Sequence, residues 1–325
     1  MKSWWIRTAG DAMELELRDV PVPSPGPGQI GVRIRAASLN RGEFIAGHGL
    51  HAASAPARPA GFEAAGEVTA VGAGVTRWKA GDRVFGRSEG AFAEHGCMLA
   101  DEVLRMPERM TWEQAAATYV VYMTVHDAVI AQGRLARGEW LLVTGVSSGV
   151  GVAALQVAKA LGARVIGTSG SAAKLSRLVD MGLDLGIETR RADFVSAVME
   201  ATGGRGVDLV VNTVGGSMFA ACVEALGFEG RLATVGYVDG VVRAEIDLEA
   251  LHKKRLQLFG VSNKMRGVSH RVAAAQGFAR DVLPLMASGQ VVPLVDRVFG
   301  LEELREAQGW VQGNRHVGKV VVRVR

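Results

Sequence analysis

The stretch WLLVTGVSSGVGVAALQVAKALGARVIGTSG, Trp140 to Gly170, decides the fold. Leu141 to Thr144 is an apolar run of the length expected for a buried parallel strand. It breaks into a turn holding Gly145, Ser147, Ser148, Gly149 and Gly151. Ala153, Ala154, Val157, Ala158 and Leu161 then recur at helical spacing until Gly162 stops the helix, and Arg164 to Gly167 reads as a second strand. The order is that of one β-α-β unit. Because the turn lacks bulky side chains, the backbone of Ser147, Ser148, Gly149, Val150 and Gly151 can approach a pyrophosphate at the helix N-terminus, where the helix dipole favours negative charge. The competing reading is a tight turn in a parallel sheet with no ligand.

The end of the second strand selects the dinucleotide. An NAD site places Asp or Glu there to hold the ribose hydroxyls, whereas this chain has Gly167, Thr168, Ser169, Gly170 and Ser171. No acid repels a 2′-phosphate. Ser169, Ser171, Lys174 and Arg177 offer hydrogen bonds and charge to one, which favours NADPH over NADH. Lys174 is the better candidate, since Arg177 reads more readily as part of a solvated helix face.

The whole chain sets bounds. Its 325 residues suggest about two domains, and 48% hydrophobic content suffices for sizeable cores. The net charge of +4 comes from scattered basic residues without a stripe, so nucleic acid is not an expected partner. Cys97 and Cys222 are the only cysteines, too few for a disulfide framework or a cysteine-built zinc lobe, and a reducing cytoplasm is expected. Neither the start, MKSWWIRTAG, nor any later run has the apolar length of a signal peptide or membrane span.

Residues 1–116 read as short strands punctuated by prolines and glycines. Gln29 to Ala37 alternates like a half-buried strand, Ser38 to Gly49 is a polar loop, and Gly61 to Val71, Asp82 to Phe85 and Ala91 to Leu99 are further strands. Thr111, or the residue before it, caps a helix. Beyond Gly170, helices and strands alternate through the strand Leu256 to Val261 and a helix Val272 to Ser288, the pattern of a doubly wound parallel sheet. The tail from Val291 returns to short strands. The expected division is a mostly-β domain of residues 1–116 and 290–325, with a dinucleotide-binding domain of 117–289 inserted into it.

Taken in order, PVPSPGPGQIGVRIRAASLN, GFEAAGEVTAVGAGVTRWKAGDRVFG, GAFAEH, AAATYVVYMTVHDAV, VTGVSSGVG, VDLVVNTVGG and HVGKVVV resemble the medium-chain dehydrogenases/reductases, in the zinc-independent quinone oxidoreductase branch that includes zeta-crystallin. The resemblance implies an α/β chain in which a GroES-like, mostly-β catalytic domain carries an inserted Rossmann domain, with the nicotinamide in a cleft between them. Relatives commonly form homodimers, and the strand Leu256 to Val261 is a candidate for pairing across a two-fold axis.

Two rivals fail on residues. Zinc alcohol dehydrogenases hold their metal with Cys and a Gly-His-Glu motif, and here the motif reads Gly61, Phe62, Glu63, while the cysteine position falls at Ser38 or Asn40. His48 and His51 lack a third ligand nearby, so no metal is expected. The turn also fits the short-chain dehydrogenase pattern, whose chemistry needs a Tyr with a Lys four positions later. Tyr119, Tyr122 and Tyr237 are followed there by Met123, His126 and Val241.

The resemblance places Asn40 beside the nicotinamide and the substrate carbonyl, as a hydrogen-bond donor; holding its own loop is the competing role. Glu43 in the same loop is expected to orient Asn40 or relay a proton. Glu63 reads as a loop pin. Thr124 resembles a family threonine that contacts the cofactor, although a helical Thr also bonds its own backbone. Asn212, Gly236, Val261 and Asn263 end strands of the parallel sheet, where ligands of such sheets sit. Asn314, beside Arg315, stands where relatives carry an arginine, and Thr189 or Arg190 where some carry a tyrosine for the 2′-phosphate. The expected function is NADPH-dependent hydride transfer to a quinone or an α,β-unsaturated carbonyl. The alternatives are an enoyl thioester reductase, for which Arg41, Arg58 and Lys264 would form a basic rim, and a non-catalytic NADPH-binding protein of the crystallin or regulatory kind.

Overall fold

The computed structural model describes residues 1–9, 12–45 and 56–325. His48, His51 and most of the loop between Ala46 and Pro59 lie outside them. The chain divides into two compact units, residues 1–123 with 264–325, and 124–263.

The first unit opens with the strands β1 (Lys2–Ala9), β2 (Ala12–Asp19), β3 (Gln29–Ser38), β4 (Arg58–Pro59), β5 (Glu63–Val71), β6 (Arg83–Arg87), β7 (His95–Leu99) and β8 (Leu104–Arg105). β3 alternates apolar Ile30, Val32 and Ile34 toward a core with Phe92, Met98 and Val320, as its sequence period requires. A single 3₁₀ turn, Arg41–Phe44, follows β3. Helix α1 (Trp112–Ala116) starts at Thr111, whose hydroxyl accepts from Gln114 N while the Gln114 side chain returns a bond to Thr111 N. Helix α2 (Tyr119–Val125) runs through the boundary into the second unit.

The second unit is the doubly wound sheet. Strands β9 (Trp140–Thr144), β10 (Arg164–Ser169), β11 (Leu185–Glu188), β12 (Val207–Asn212), β13 (Leu226–Thr234) and β14 (Gln257–Gly260) are all parallel, in the order β11-β10-β9-β12-β13-β14. Helices α3 (Gly149–Ala160), α4 (Ala172–Val179), α5 (Val195–Ala201), α6 (Gly216–Ala225) and α7 (Leu248–Lys253) connect them. β9 is buried throughout because it is central, which is why it reads as a continuous apolar run. The strand order reverses between β9 and β12, and the glycine turn follows β9 at that switch point. β14 is an edge of this sheet.

The chain then returns to the first unit with α8 (Val268–Asp281), α9 (Leu283–Ser288), β15 (Val295–Gly300), α10 (Leu304–Gln312) and β16 (Lys319–Arg323). Two expectations are corrected here. The helix foreseen over Val272 to Ser288 is two helices, since Pro284 has no N–H to continue the first and the chain turns at Val282. It also packs with the mostly-β unit: Arg271 Nε lies 3.1 Å from both carboxylate oxygens of buried Glu102, which also accepts from Tyr119 Oη at 2.5 Å. The two compact units divide after residues 123 and 263, and the expected division lay at 116 and 289. Among the described residues the first unit's main sheet runs β15-β16-β3-β5-β6-β8, with β7 also on β3. This puts the end of β3, the start of β5 and the start of β16 side by side.

All six tryptophans have a guanidinium 4.1 to 5.6 Å from the ring centroid, for example Arg164 over Trp140 and Arg297 over Trp310. Among the described residues no helix is long and apolar enough to cross a membrane.

Candidate active site

In the first unit, β5 opens on Glu63, which is fully buried (0% exposed). Its Oε1 accepts three hydrogen bonds, from Ser38 Oγ at 2.6 Å, Asn40 Nδ2 at 2.9 Å and Lys319 Nζ at 2.9 Å. Its Oε2 accepts from Val120 N at 2.8 Å, at the N-terminus of α2, where the helix dipole also favours a carboxylate. One carboxylate thus ties β3, β16, the 40–44 turn and α2 together. The loop-pin role expected of Glu63 is what its hydrogen bonds describe.

Asn40 sits at the centre of this cluster. Its Nδ2 donates to Glu43 Oε1 at 2.8 Å and to Glu63 Oε1, its Oδ1 accepts from Lys319 Nζ at 2.6 Å, and its backbone N–H donates to Glu43 Oε1 at 3.1 Å. Both amide hydrogens are engaged internally. The donor role toward a substrate carbonyl is not open to Asn40 in this arrangement; the competing role, holding its own loop, is the one its contacts describe. Glu43 is 2% exposed. Burial pushes its carboxyl up to about 8, against the opposing pull of the Asn40 hydrogen bond and the Lys319 charge, and the neighbouring Glu63 charge adds to the rise. The shift favours the protonated form of Glu43.

Lys319 was not foreseen as a site residue. It opens β16, is 5% exposed, and directs its ammonium to Leu39 O at 2.8 Å, Asn40 Oδ1 and Glu63 Oε1. The signal in the sequence was a lone lysine at the head of the apolar strand KVVV, in HVGKVVV.

A zinc ion does not fit these residues. The position that would need an imidazole is Phe62, with the guanidinium carbons of Arg58 and Arg87 5.2 and 5.8 Å from its ring centroid, and the Glu63 oxygens are taken by four donors, one an ammonium. Among the described residues no group of three or more His, Cys, Asp or Glu is placed to hold a metal.

The second unit holds the phosphate cradle. Ser148 caps α3 through Gly151 N at 3.1 Å, and Gly145 turns the chain with φ +67°. A Cβ on Gly151 would lie 2.6 Å from Gly145 O and from backbone atoms of Val146, and one on Gly167 would lie 2.5 Å from Val146 Cγ1. Only glycine lets helix, turn and neighbouring strand pack this closely, and the close packing presents the turn's backbone at the helix N-terminus. Val150 is the second residue of that helix. Ser147 Oγ lies 3.3 Å from Ser169 Oγ at the end of β10, and Ser171 caps α4, the helix carrying Lys174 in its first turn. Arg190 reaches over the same strand end, its Nη2 3.5 Å from Gly170 O.

The parallel register aligns Thr144 with Asn212, Asn212 with Thr234 and Thr234 with Gly260, so Asn212 lies in one row with the carboxyl ends of the neighbouring strands. Gly236 and Val261 follow this row, and Asn263 closes the unit. Asn212 is buried and committed to its own loop: Oδ1 accepts from Thr144 Oγ1 at 2.9 Å and from Val214 N and Gly215 N at 3.1 Å, and Nδ2 donates to Gly215 O at 2.9 Å. It shapes the cradle's neighbour loop. Thr124, half-buried in α2, is the first residue of the second unit, so the three expected catalytic residues divide between units. Asn314 belongs to the first unit, in the left-handed region with φ +54°, and accepts from Arg41, which also donates to Val311 O at 2.9 Å.

A glycine-turn cradle at the switch point of a doubly wound sheet, inserted into a mostly-β unit with a buried polar cluster, is the build of a dinucleotide-dependent oxidoreductase. Comparison with known proteins agrees. Residues 26–131 match the alcohol dehydrogenase GroES-like domain family and residues 149–276 the zinc-binding dehydrogenase family. The chain is 31% identical over 311 residues to a phenolphthiocerol/phthiocerol polyketide synthase of Mycobacterium tuberculosis, a match that covers 95% of this chain and 14% of that protein. It therefore spans about a seventh of that relative's length. Among solved structures, Escherichia coli quinone oxidoreductase complexed with NADPH superposes with a TM-score of 0.87 at 27% identity, covering 99% of this chain and 100% of the other. The CurK enoyl reductase does so at 0.87 and 25% identity, covering 100% and 99%. The chain belongs to the medium-chain dehydrogenase/reductase superfamily, in its zinc-independent branch.

Proposed function

We propose that this protein uses NADPH to transfer hydride to a conjugated acceptor, an α,β-unsaturated carbonyl compound or a quinone. The observation that carries the reading is the polar cluster of the first unit, where a lysine ammonium bonds Asn40 and Glu63 and a buried glutamic acid is bonded to Asn40, while Phe62 and Ser38 or Asn40 stand where the zinc enzymes of the superfamily place metal ligands. Reducing a simple carbonyl concentrates charge on one oxygen, which a metal offsets; reducing a conjugated system spreads the charge and needs only hydrogen-bond donors and a proton.

Ser147, Ser148, Gly149, Val150 and Gly151 would hold the pyrophosphate, and Ser169, Ser171, Lys174 and Arg190 the 2′-phosphate, with no acid at the end of β10 to oppose it. Bound there, NADPH supplies a hydride. As hydride adds at the β-carbon, the electron pair moves toward the carbonyl oxygen and the α-carbon takes a proton. Glu43 is the group in the cluster with a proton to give, and Asn40 holds one of its oxygens in place.

A second reading, reduction of an enoyl thioester, draws on the polyketide synthase relatives and the CurK enoyl reductase. It is the same reaction on a particular carbonyl. Of the basic residues expected to meet a carrier, Arg41 is engaged with Asn314 and Val311 and Arg58 lies over Phe62. NADPH oxidation in the presence of a chelator, against ortho- and para-quinones, enones and an enoyl thioester, separates the two by preferred acceptor. No turnover with any acceptor, despite NADPH binding, would favour the non-catalytic reading. A homodimer pairing through β14 is part of the proposal, and a monomer by light scattering would remove it.

A further inference from the structure

We propose that the buried ammonium of Lys319 is a positioning residue of the reductase, the resident cation that sets the orientation of the Asn40 amide and thereby of Glu43. The inference rests on the reductase reading above. Lys319 Nζ has three hydrogens and three acceptors in reach, Leu39 O, Asn40 Oδ1 and Glu63 Oε1, so the group is saturated. An ammonium only donates. Wherever it meets the Asn40 side chain it selects the oxygen end, and the NH₂ end is turned toward the two carboxyl groups. The Glu63 carboxylate, which only accepts, meets the NH₂ end from the other side, and removing the ammonium takes away the side-chain donor that holds the oxygen end in place.

Position also argues for a role beyond gluing strands. Lys319 is followed in β16 by Val320, Val321 and Val322, all buried, and a fourth apolar residue would satisfy the sheet at lower desolvation cost. The lysine instead spans 279 residues of sequence to reach Asn40, and it contacts the turn that carries Glu43 at two points, Leu39 O and Asn40 Oδ1.

The test uses the full chain and an acceptor that the wild type reduces. Lys319→Ala removes the ammonium and leaves room for a small one. The expected result is a fall in kcat of at least thirtyfold with the NADPH Kd, read by tryptophan fluorescence, unchanged, and saturable recovery with propylammonium but not with tetramethylammonium at equal ionic strength. Wild-type kcat in Lys319→Ala, or a loss that propylammonium does not reverse in a variant that still binds NADPH, overturns the proposal. Should Lys319→Ala fail to fold, the charge-neutral Lys319→Met/Glu63→Gln pair decides: a folded, NADPH-binding protein with kcat down at least thirtyfold supports the role, and wild-type kcat ends it. A readout without turnover separates this from failure of the reductase reading. In protein labelled with ¹⁵N-asparagine, which has four such residues, the Asn40 side-chain resonances are expected to shift in Lys319→Ala and return with propylammonium. Unshifted resonances contradict the proposal whether or not any acceptor is reduced.

Discussion

Lys319 Nζ lies 2.6 Å from Asn40 Oδ1, joining the first residue of the last strand to the turn after β3. Around that bond a single carboxylate, Glu63, gathers four donors, and burial raises a second carboxyl, Glu43, to about 8. The consequences are measurable.

Replacing Lys319 by Met leaves the Glu63 carboxylate buried without its countercharge. Breaking a buried pair from one side costs about 3–5 kcal/mol. Urea unfolding of Lys319→Met is expected to show a loss of that size, most of it restored in the double variant with Glu63→Gln; a single variant as stable as the wild type would mean that the pair is open to solvent.

Glu43 makes stability depend on pH with a definite sign. Its folded-state value, about 8, lies above its ordinary 4.5, so its protonated form contributes stability that is complete below about pH 4.5 and is lost as pH rises through about 8. The size is on the order of 5 kcal/mol for a carboxyl this strongly raised. Between those limits the wild type should lose stability with rising pH more steeply than Glu43→Gln, as read from thermal midpoints; equal slopes would place the proton elsewhere.

Gly151→Ala tests the cradle. A methyl group would stand 2.6 Å from Gly145 O and from the Val146 backbone, atoms that cannot swing aside. Overpacking of this kind costs about 1–3 kcal/mol. The expected outcome is a lowered urea midpoint together with at least a tenfold weaker NADPH titration, while an unchanged affinity would remove the turn from the binding site.

Arg190→Ala and Lys174→Ala test the assignment of the 2′-phosphate. Each should weaken NADPH by about tenfold, the order of a charge-assisted hydrogen bond, and leave NADH untouched. Equal losses for both dinucleotides would show that these residues act on the fold alone.

Much of the fold was legible because its signals are local. The run Leu141 to Val143 is apolar without alternation since β9 is covered on both faces, Gly145 and Gly151 mark a turn that tolerates no Cβ, and Thr111 announces α1 by its own side chain. What was missed is long-range. Whether the helix after Gly267 belongs to one unit or the other turns on Arg271 meeting Glu102, 169 residues away. The hairpin β1–β2 escaped notice although AMELELRD alternates well enough to have suggested a strand. At the site, Asn40, Glu43 and Glu63 were visible as polar residues in one loop and one motif, but their division of labour was not: it depends on Lys319, which in sequence reads as the basic flank of an apolar strand and becomes a site residue only when β16 pairs with β3.

The most direct test of the central claim is NADPH oxidation by the purified protein in excess chelator, with an enone, a quinone and an enoyl thioester as acceptors and NADH in parallel. Chelator-resistant turnover, NADPH preferred to NADH, and a saturated carbon–carbon bond in the enone product are the predicted results. Activity abolished by the chelator, or reduction of a simple aldehyde in preference to any conjugated acceptor, would contradict the central claim.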